Sequence, residues 1–224
     1  MTAAAEAIDP ELVRRVAERF ARTASRMYAR GKLGSDPIAR QLVALGHERP
    51  GGLGEVVDVG CGRGQMGILL LEAGVATRIV GVDWDEPKLE EGRAAAGRPP
   101  ELAMGFEKGD VRSFEPPPCD TLLLIDVLHY LTDKQQLEVL GRCMQSARKC
   151  LVLRELDPDR GWRSATTRAQ EAVTTFFGYN VGERVRVLPI AAFAGPLEGA
   201  GFAVRVEPSW GSTPFSNVMV VATR

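Results

Sequence analysis

The sequence lacks most of the features that assign a function at sight. It has no Cys-x-x-Cys pair, since Cys61, Cys119, Cys143 and Cys150 all stand apart. His47 and His129 are its only histidines, so no metal-ligand spacing emerges and no metal is expected. Isolated cysteines of this kind read as reduced thiols in a reducing compartment. An excess of charge is missing too. The formal net charge of -1 provides no global attraction to nucleic acid or to an anionic membrane, and neither is expected as a partner. Long apolar runs are also absent: "ILLL" and "LLLI" are far too short to span a bilayer, and no apolar core of a leader opens the chain. These absences predict a soluble cytoplasmic protein. No internal repeat, low-complexity tract or linker divides it.

What is present suffices for one buried core: 224 residues, 45% of them hydrophobic. "DPEL" opens a helix with Asp9 as N-cap and Pro10 at its first position. Leu12, Val16, Phe20, Ala24 and Met27 recur at helical spacing, which predicts one amphipathic helix broken by Gly31, Gly34 and Pro37. A second helix, "PIARQLVALG", leads into "RPGGLG". From Val56 onward short apolar runs alternate with helical stretches, the pattern of a parallel sheet covered on both faces. The final runs, "GFAVRVEPSW" and "NVMVVATR", are joined by a segment too short for a crossover helix and should pair antiparallel.

The stretch "EVVDVGCGRG" runs from strand-like residues straight into Gly60, Gly62 and Gly64. Glycine is needed where φ is positive or where a ligand must approach bare backbone. After a parallel strand, the amides of such a turn point at whatever sits above the sheet edge. A packing turn, a dinucleotide site and a site for another nucleotide-bearing cofactor all satisfy the pattern. Asp83 ends the next strand, "IVGVD", where an acidic side chain accepts from both ribose hydroxyls; its other reading is the N-cap of the helix at "EPKLEE". Trp84 beside it can cover an adenine face or pack on a helix. The dinucleotide fingerprint G-x-G-x-x-G requires glycine at position 65, which is Gln65. That counts against an NAD-dependent oxidoreductase, the rival from another enzyme class.

Taken in order, the motifs resemble the class I S-adenosylmethionine-dependent methyltransferases. The resemblance runs from about Val56 to the C-terminus and rests on "VVDVGCGRG", "VGVDWDEPKL", "GDVRSF" and "DTLLLIDVLHYL". It implies a Rossmann-like α/β fold, a seven-stranded, mostly parallel sheet with an antiparallel C-terminal hairpin and helices on both faces. It also implies S-adenosylmethionine as cofactor, with S-adenosylhomocysteine as product. Gly60, Cys61, Gly62 and Gly64 form the glycine motif, and Asp58 serves the ammonium side of the cofactor or caps the next turn. Asp83 and Trp84 lie at the ribose and adenine. Gly109, Asp110 and Val111 flank the adenine, while Ile125 and Asp126 lie by the methionine portion. More loosely, "RMYARGKLGSDP" followed by "DVGCGRG" and "DVLHYL" resembles small methyltransferases of bacterial aryl-polyene-type biosynthetic gene clusters.

Acceptor sites in this fold come from variable additions. Here these are a helical extension over residues 1–50 and, within the domain at 51–224, an insertion at 155–195 expected to act as a lid. Tyr28, Arg30 and Lys32 of the extension would fold over the cofactor and meet its carboxylate, unless the basic run merely compensates a helix dipole. The insertion carries Trp162, Phe176, Phe177 and Tyr179, an aromatic lining suited to a small, aromatic or phenolic acceptor, although the same rings can simply dock a helix. If the acceptor must lose a proton, His129 is the leading base and Tyr130 the second, a packing role being the other reading of His129. RNA or protein remains the alternative acceptor, met by Arg14, Arg15, Arg19, Arg22, Arg26 and Arg30. A module that binds the cofactor without turnover is a third reading.

Overall fold

The computed structural model describes residues 8–159, 186–211 and 216–224. Three helices come first: α1 (Pro10–Glu18), α2 (Thr23–Ser35) and α3 (Pro37–Glu48). The alternating part follows as β1 (Glu55–Val59), α4 (Gln65–Glu72), β2 (Arg78–Asp83), α5 (Glu86–Ala96), β3 (Met104–Lys108) and β4 (Cys119–Ile125). A 3₁₀ turn (Leu128–Tyr130), α6 (Asp133–Ser146) and β5 (Ala147–Leu156) come next. The chain closes with α7 (Ala191–Gly199), β6 (Ala203–Pro208) and β7 (Asn217–Thr223).

The strands form one seven-stranded sheet in the order β3-β2-β1-β4-β5-β7-β6. The first five are parallel, and β7 runs antiparallel to both β5 and β6. This is the mixed sheet expected from the alternating pattern. Because side chains alternate across a strand, each apolar run feeds two cores. Val56, Leu123, Val152 and Met219 join α1, α3 and α4 on one face. Val57, Leu122, Leu124 and Leu151 join Val139 and Leu140 of α6 and Phe193 of α7 on the other. β1 lies between β2 and β4, so the chain leaves it in one direction and returns on its other side. The crevice above β1 is therefore the topological switch point where such sheets bind ligands.

The amino-terminal region differs from the expected single helix. The chain breaks between α1 and α2, because Arg19 and Phe20 are drawn inward. Phe20 is 1% exposed, and Arg19, at 8%, donates to Glu72 at 2.6 Å and to the carbonyls of Arg98 and Pro100. The break shifts the helical register. The buried stripe of α2 is Ser25, Ala29 and Leu33, while Ala24 and Met27 face solvent. Gly31 and Gly34 lie inside α2, which ends only before Pro37. At the other boundary, β5 runs to Leu156 and α7 begins at Ala191, so both ends of the 155–195 segment belong to regular elements.

The arginines of the first two helices are largely matched by carboxylates or carbonyls. Arg14 pairs with Glu11 and Glu18, Arg15 and Arg19 with Glu72, and Arg22 with Glu91, while Arg26 donates to the Phe20 carbonyl. Among the described residues, no helix is long and apolar enough to cross a membrane.

Since Arg19 carries the polar half of this docking, Arg19→Ala leaves Glu72 with only the more exposed Arg15 and the carbonyl cluster without its donor. We expect a loss of about 3 kcal/mol in unfolding free energy, measured by urea denaturation. A loss no larger than that of an exposed ion pair contradicts this role.

Candidate functional site

The turn after β1 uses its glycines unequally. Gly60, Gly62 and Gly64 all have positive φ, of 81°, 58° and 71°. A Cβ on Gly60 would lie 2.3 Å from Val127, and one on Gly64 would lie 2.5 Å from the Phe106 ring. Those two glycines admit protein. A Cβ on Gly62 would meet no protein atom within 4 Å among the described residues, so only this glycine borders open space. The amides are not the free cradle expected of a nucleotide turn. Gly60 and Cys61 donate to the Val82 carbonyl at 2.7 and 3.0 Å, and Gly64 donates to the Cys61 carbonyl at 2.9 Å. Gly62 donates to Asp83 Oδ2 at 2.8 Å. A pyrophosphate needs free N–H donors. Spending four of them internally disfavours the dinucleotide reading and suits a ligand that is cationic at this end.

Two carboxylates lie beneath that surface. Asp58 pairs in register with Gly81, which places it on the same sheet face as Asp83. Asp83 is 9% exposed, and both its oxygens are in use: besides Gly62, the Asp85 amide donates to Oδ1 at 3.0 Å. The N-cap of α5 is Asp85 and not Asp83. Asp58 is 3% exposed. Burial, reinforced by the nearby Asp83 charge, pushes its pKa up to about 7. Cys61, buried beside both acids, has its thiol pushed up by burial first and by the two acids second.

The other predicted cofactor residues fall around the same strand ends. Trp84 is 70% exposed just beyond β2. Gly109 donates its amide to the Asp83 carbonyl, and Val111 packs against the second core. Asp110 is turned toward Arg112, whose amide and guanidinium both donate to it. That pairing lowers the Asp110 pKa. Ile125 packs on the first core. Asp126 has a φ of 59°, left-handed for a residue with a side chain. Its carboxylate is held by Arg154 at 2.7 Å and by Lys32 at 3.2 Å. Asp36 completes the cluster, 2.6 Å from Lys32 and 3.0 Å from Arg154. Lys32 is therefore engaged in an internal network of two cations and two carboxylates. Tyr28 is half exposed, with the Arg63 guanidinium 5.6 Å from its ring centroid.

His129 sits in the 3₁₀ turn after β4 and is 7% exposed. Its Nδ1 lies 2.6 Å from Glu155 Oε2, and Glu155 Oε1 accepts from the Leu128 amide at 2.8 Å. One buried carboxylate thus fixes both the ring and the turn that carries it. With Nδ1 donating to a carboxylate, a neutral imidazole presents Nε2 as an acceptor. Tyr130 stacks at a tilt against His129, 4.2 Å between centroids, and is partly exposed. Sequence reasoning missed Glu155, Arg154 and Glu91. The available signal for the first two was the pair "RE" at the end of the apolar run "CLVL". Trp162, Phe176, Phe177 and Tyr179 lie outside the described residues. A separate cleft of about 500 Å³, lined by Gly52, Gly54, Asp120 and Lys149, lies at the opposite strand ends and holds none of these groups.

Comparison with known proteins adds to this geometry. Residues 56–149 match a family model described as a methyltransferase domain. No curated protein matches the sequence. Among solved structures, magnesium protoporphyrin IX methyltransferase from Synechocystis, with bound S-adenosylhomocysteine, superposes with a TM-score of 0.66 at 21% identity, covering 91% of this chain and 88% of that one. An O-methyltransferase family protein from Burkholderia thailandensis gives 0.63 at 19% identity, covering 92% of this chain but only 61% of its own. An O-methyltransferase family 2 protein from Planctomyces limnophilus, in complex with apigenin, gives 0.61 at 16% identity, covering 94% of this chain and 64% of that one.

The raised pKa of Asp58 has a signed consequence. Between its unfolded value of about 4 and its folded value of about 7, the native state binds the extra proton, so this group lowers stability as pH rises. Asp58→Asn should therefore raise the melting temperature at pH 8 and change it little at pH 4. Equal shifts at both pH values in thermal scans would refute the assignment.

Proposed function

We propose that the chain is a class I S-adenosylmethionine-dependent methyltransferase and that it methylates a small, aromatic or phenolic acceptor with His129 as general base. The observation that carries this reading is the buried His129–Glu155 pair at the exit of β4. An acceptor that is already nucleophilic needs no base, whereas a phenol does at neutral pH. Glu155 keeps the proton on Nδ1, leaving Nε2 to take the acceptor's proton. The resulting imidazolium is stabilised by the adjacent carboxylate.

The residues present fit the cofactor. Open space at Gly62 admits a ligand against bare backbone, and Asp58 is a buried acid beside the Asp83 charge. Asp58 would face the ammonium and Asp83 the ribose, with Trp84 and Val111 at the adenine and Asp126 near the methionine end. When bound, S-adenosylmethionine supplies an electrophilic methyl group on its sulfonium. The chain's own contribution is alignment, worth on the order of 7–11 kcal/mol in well-oriented reactions, together with proton removal at Nε2. Support for a small acceptor comes from the matched arginines of α1 and α2, which leave little free positive charge for a polyanion. It comes also from exposed Tyr28, Trp84 and Tyr130 near the strand ends, and from neighbours named for magnesium protoporphyrin IX and solved with apigenin.

The test is product formation from labelled S-adenosylmethionine with a panel of phenols, carboxylic acids and RNA. Turnover of a phenol should fall about 10²–10⁴-fold in His129→Ala, with S-adenosylhomocysteine affinity retained. Glu155→Gln should shift the pH–rate profile as well as lower the rate. Full activity of His129→Ala removes the base, and methylation of RNA alone removes the small acceptor.

A further inference from the structure

Resting on the cofactor reading above, we infer that Glu91 is a positioning residue for the glycine turn, holding its backbone through Arg63 and tying it to helix α2. Arg63 stands between Gly62 and Gly64, and its Nε donates to Glu91 Oε2 at 2.9 Å. The next residue on α5, Gly92, lets the helix close on the other end of Arg63. A Cβ there would lie 2.7 Å from the Arg63 carbonyl oxygen. Two consecutive residues of α5 thus grip the turn, one by charge and one by bare backbone.

The same carboxylate reaches the amino-terminal region. It accepts from Ser25 Oγ, and from Arg22 at 3.0 Å, while Tyr28 of α2 lies against the Arg63 guanidinium. Glu91 is 17% exposed on its side chain and Arg63 28%, so the pair is largely shielded from water, unlike an ordinary surface ion pair. Burial opposes the Glu91 charge, but Ser25 and Arg63 outweigh it and leave the carboxyl below its usual range. The grip adds little to the apolar core. Its effect is concentrated beside Gly62, where the turn borders open space.

Calorimetric titration of the full chain with S-adenosylhomocysteine tests this. Glu91→Ala and Arg63→Ala should each weaken binding about tenfold, the loss of one charge-assisted hydrogen bond. The double variant should bind no more weakly than the weaker single variant, because both act through one contact. Glu91→Gln, which keeps an acceptor for Ser25 and Arg63, should recover most of the affinity, and Ser25→Ala should lose some. A Glu91→Ala variant binding as tightly as wild type, or additive losses in the double variant, overturns the inference. Gly62→Val separates the two levels. If it abolishes binding while Glu91→Ala does not weaken it, only the role of Glu91 falls; if it binds as wild type, the cofactor lies elsewhere and both readings fall. Should Glu91→Ala fail to fold, Arg63→Ala and Glu91→Gln carry the test.

Discussion

The hydrogen bond from the Gly62 amide to the Asp83 carboxylate completes the join between the two strand ends on which the site depends. It exists because β1 and β2 are parallel neighbours in a register that places Asp83 just beyond the end of β1. The carbonyl of Val82 takes the two preceding amides, so the turn is sewn to β2 at three successive residues. Gly62 is left with its bare face outward. The bond also consumes the donor that a phosphate would need, which is how the same strand–turn–helix pattern can serve a cation-bearing ligand instead of a dinucleotide.

Charge buried around this turn is arranged in separate sets. Glu91 holds Arg63 and α2; Asp126, Lys32, Asp36 and Arg154 tie the end of β4 to the α2–α3 junction; Glu155 holds His129. Each set crosses from one segment to another far away in sequence. Asp126 is drawn into a left-handed conformation that costs about 1 kcal/mol or more, and Arg154 and Lys32 compensate it. Burial alone would raise the Asp126 pKa, yet Arg154, Lys32 and His129 together hold it below the ordinary range. Such sets stabilise little against hydrophobic replacement, but they fix geometry.

Much of the fold was legible because its signals are local. "CDTLLLID" is apolar on both faces and could only be a central strand, and Gly74 closes α4 as a left-handed residue should. Gly60, Gly62, Gly64 and Asp83 stood out by spacing. The break between α1 and α2 did not, because Leu12, Val16, Phe20 and Ala24 continue one helical stripe while Arg19 is pulled inward by Glu72 and three carbonyls more than fifty residues away. Sequence separation also hid Glu155 and Glu91, whose partners His129 and Arg63 are 26 and 28 residues off. Which amides of the glycine turn β2 engages is set by strand register, which the turn's own residues do not encode.

The central claim is that the cofactor lies on the bare face of Gly62, between Asp58 and the β2 end. A crystal structure with S-adenosylhomocysteine tests it most directly. The account predicts ligand density against the Gly62 backbone, with the ribose hydroxyls at Asp83 and the amino group on the Asp58 side. Density seated elsewhere, with the Gly62 face bare, would contradict it.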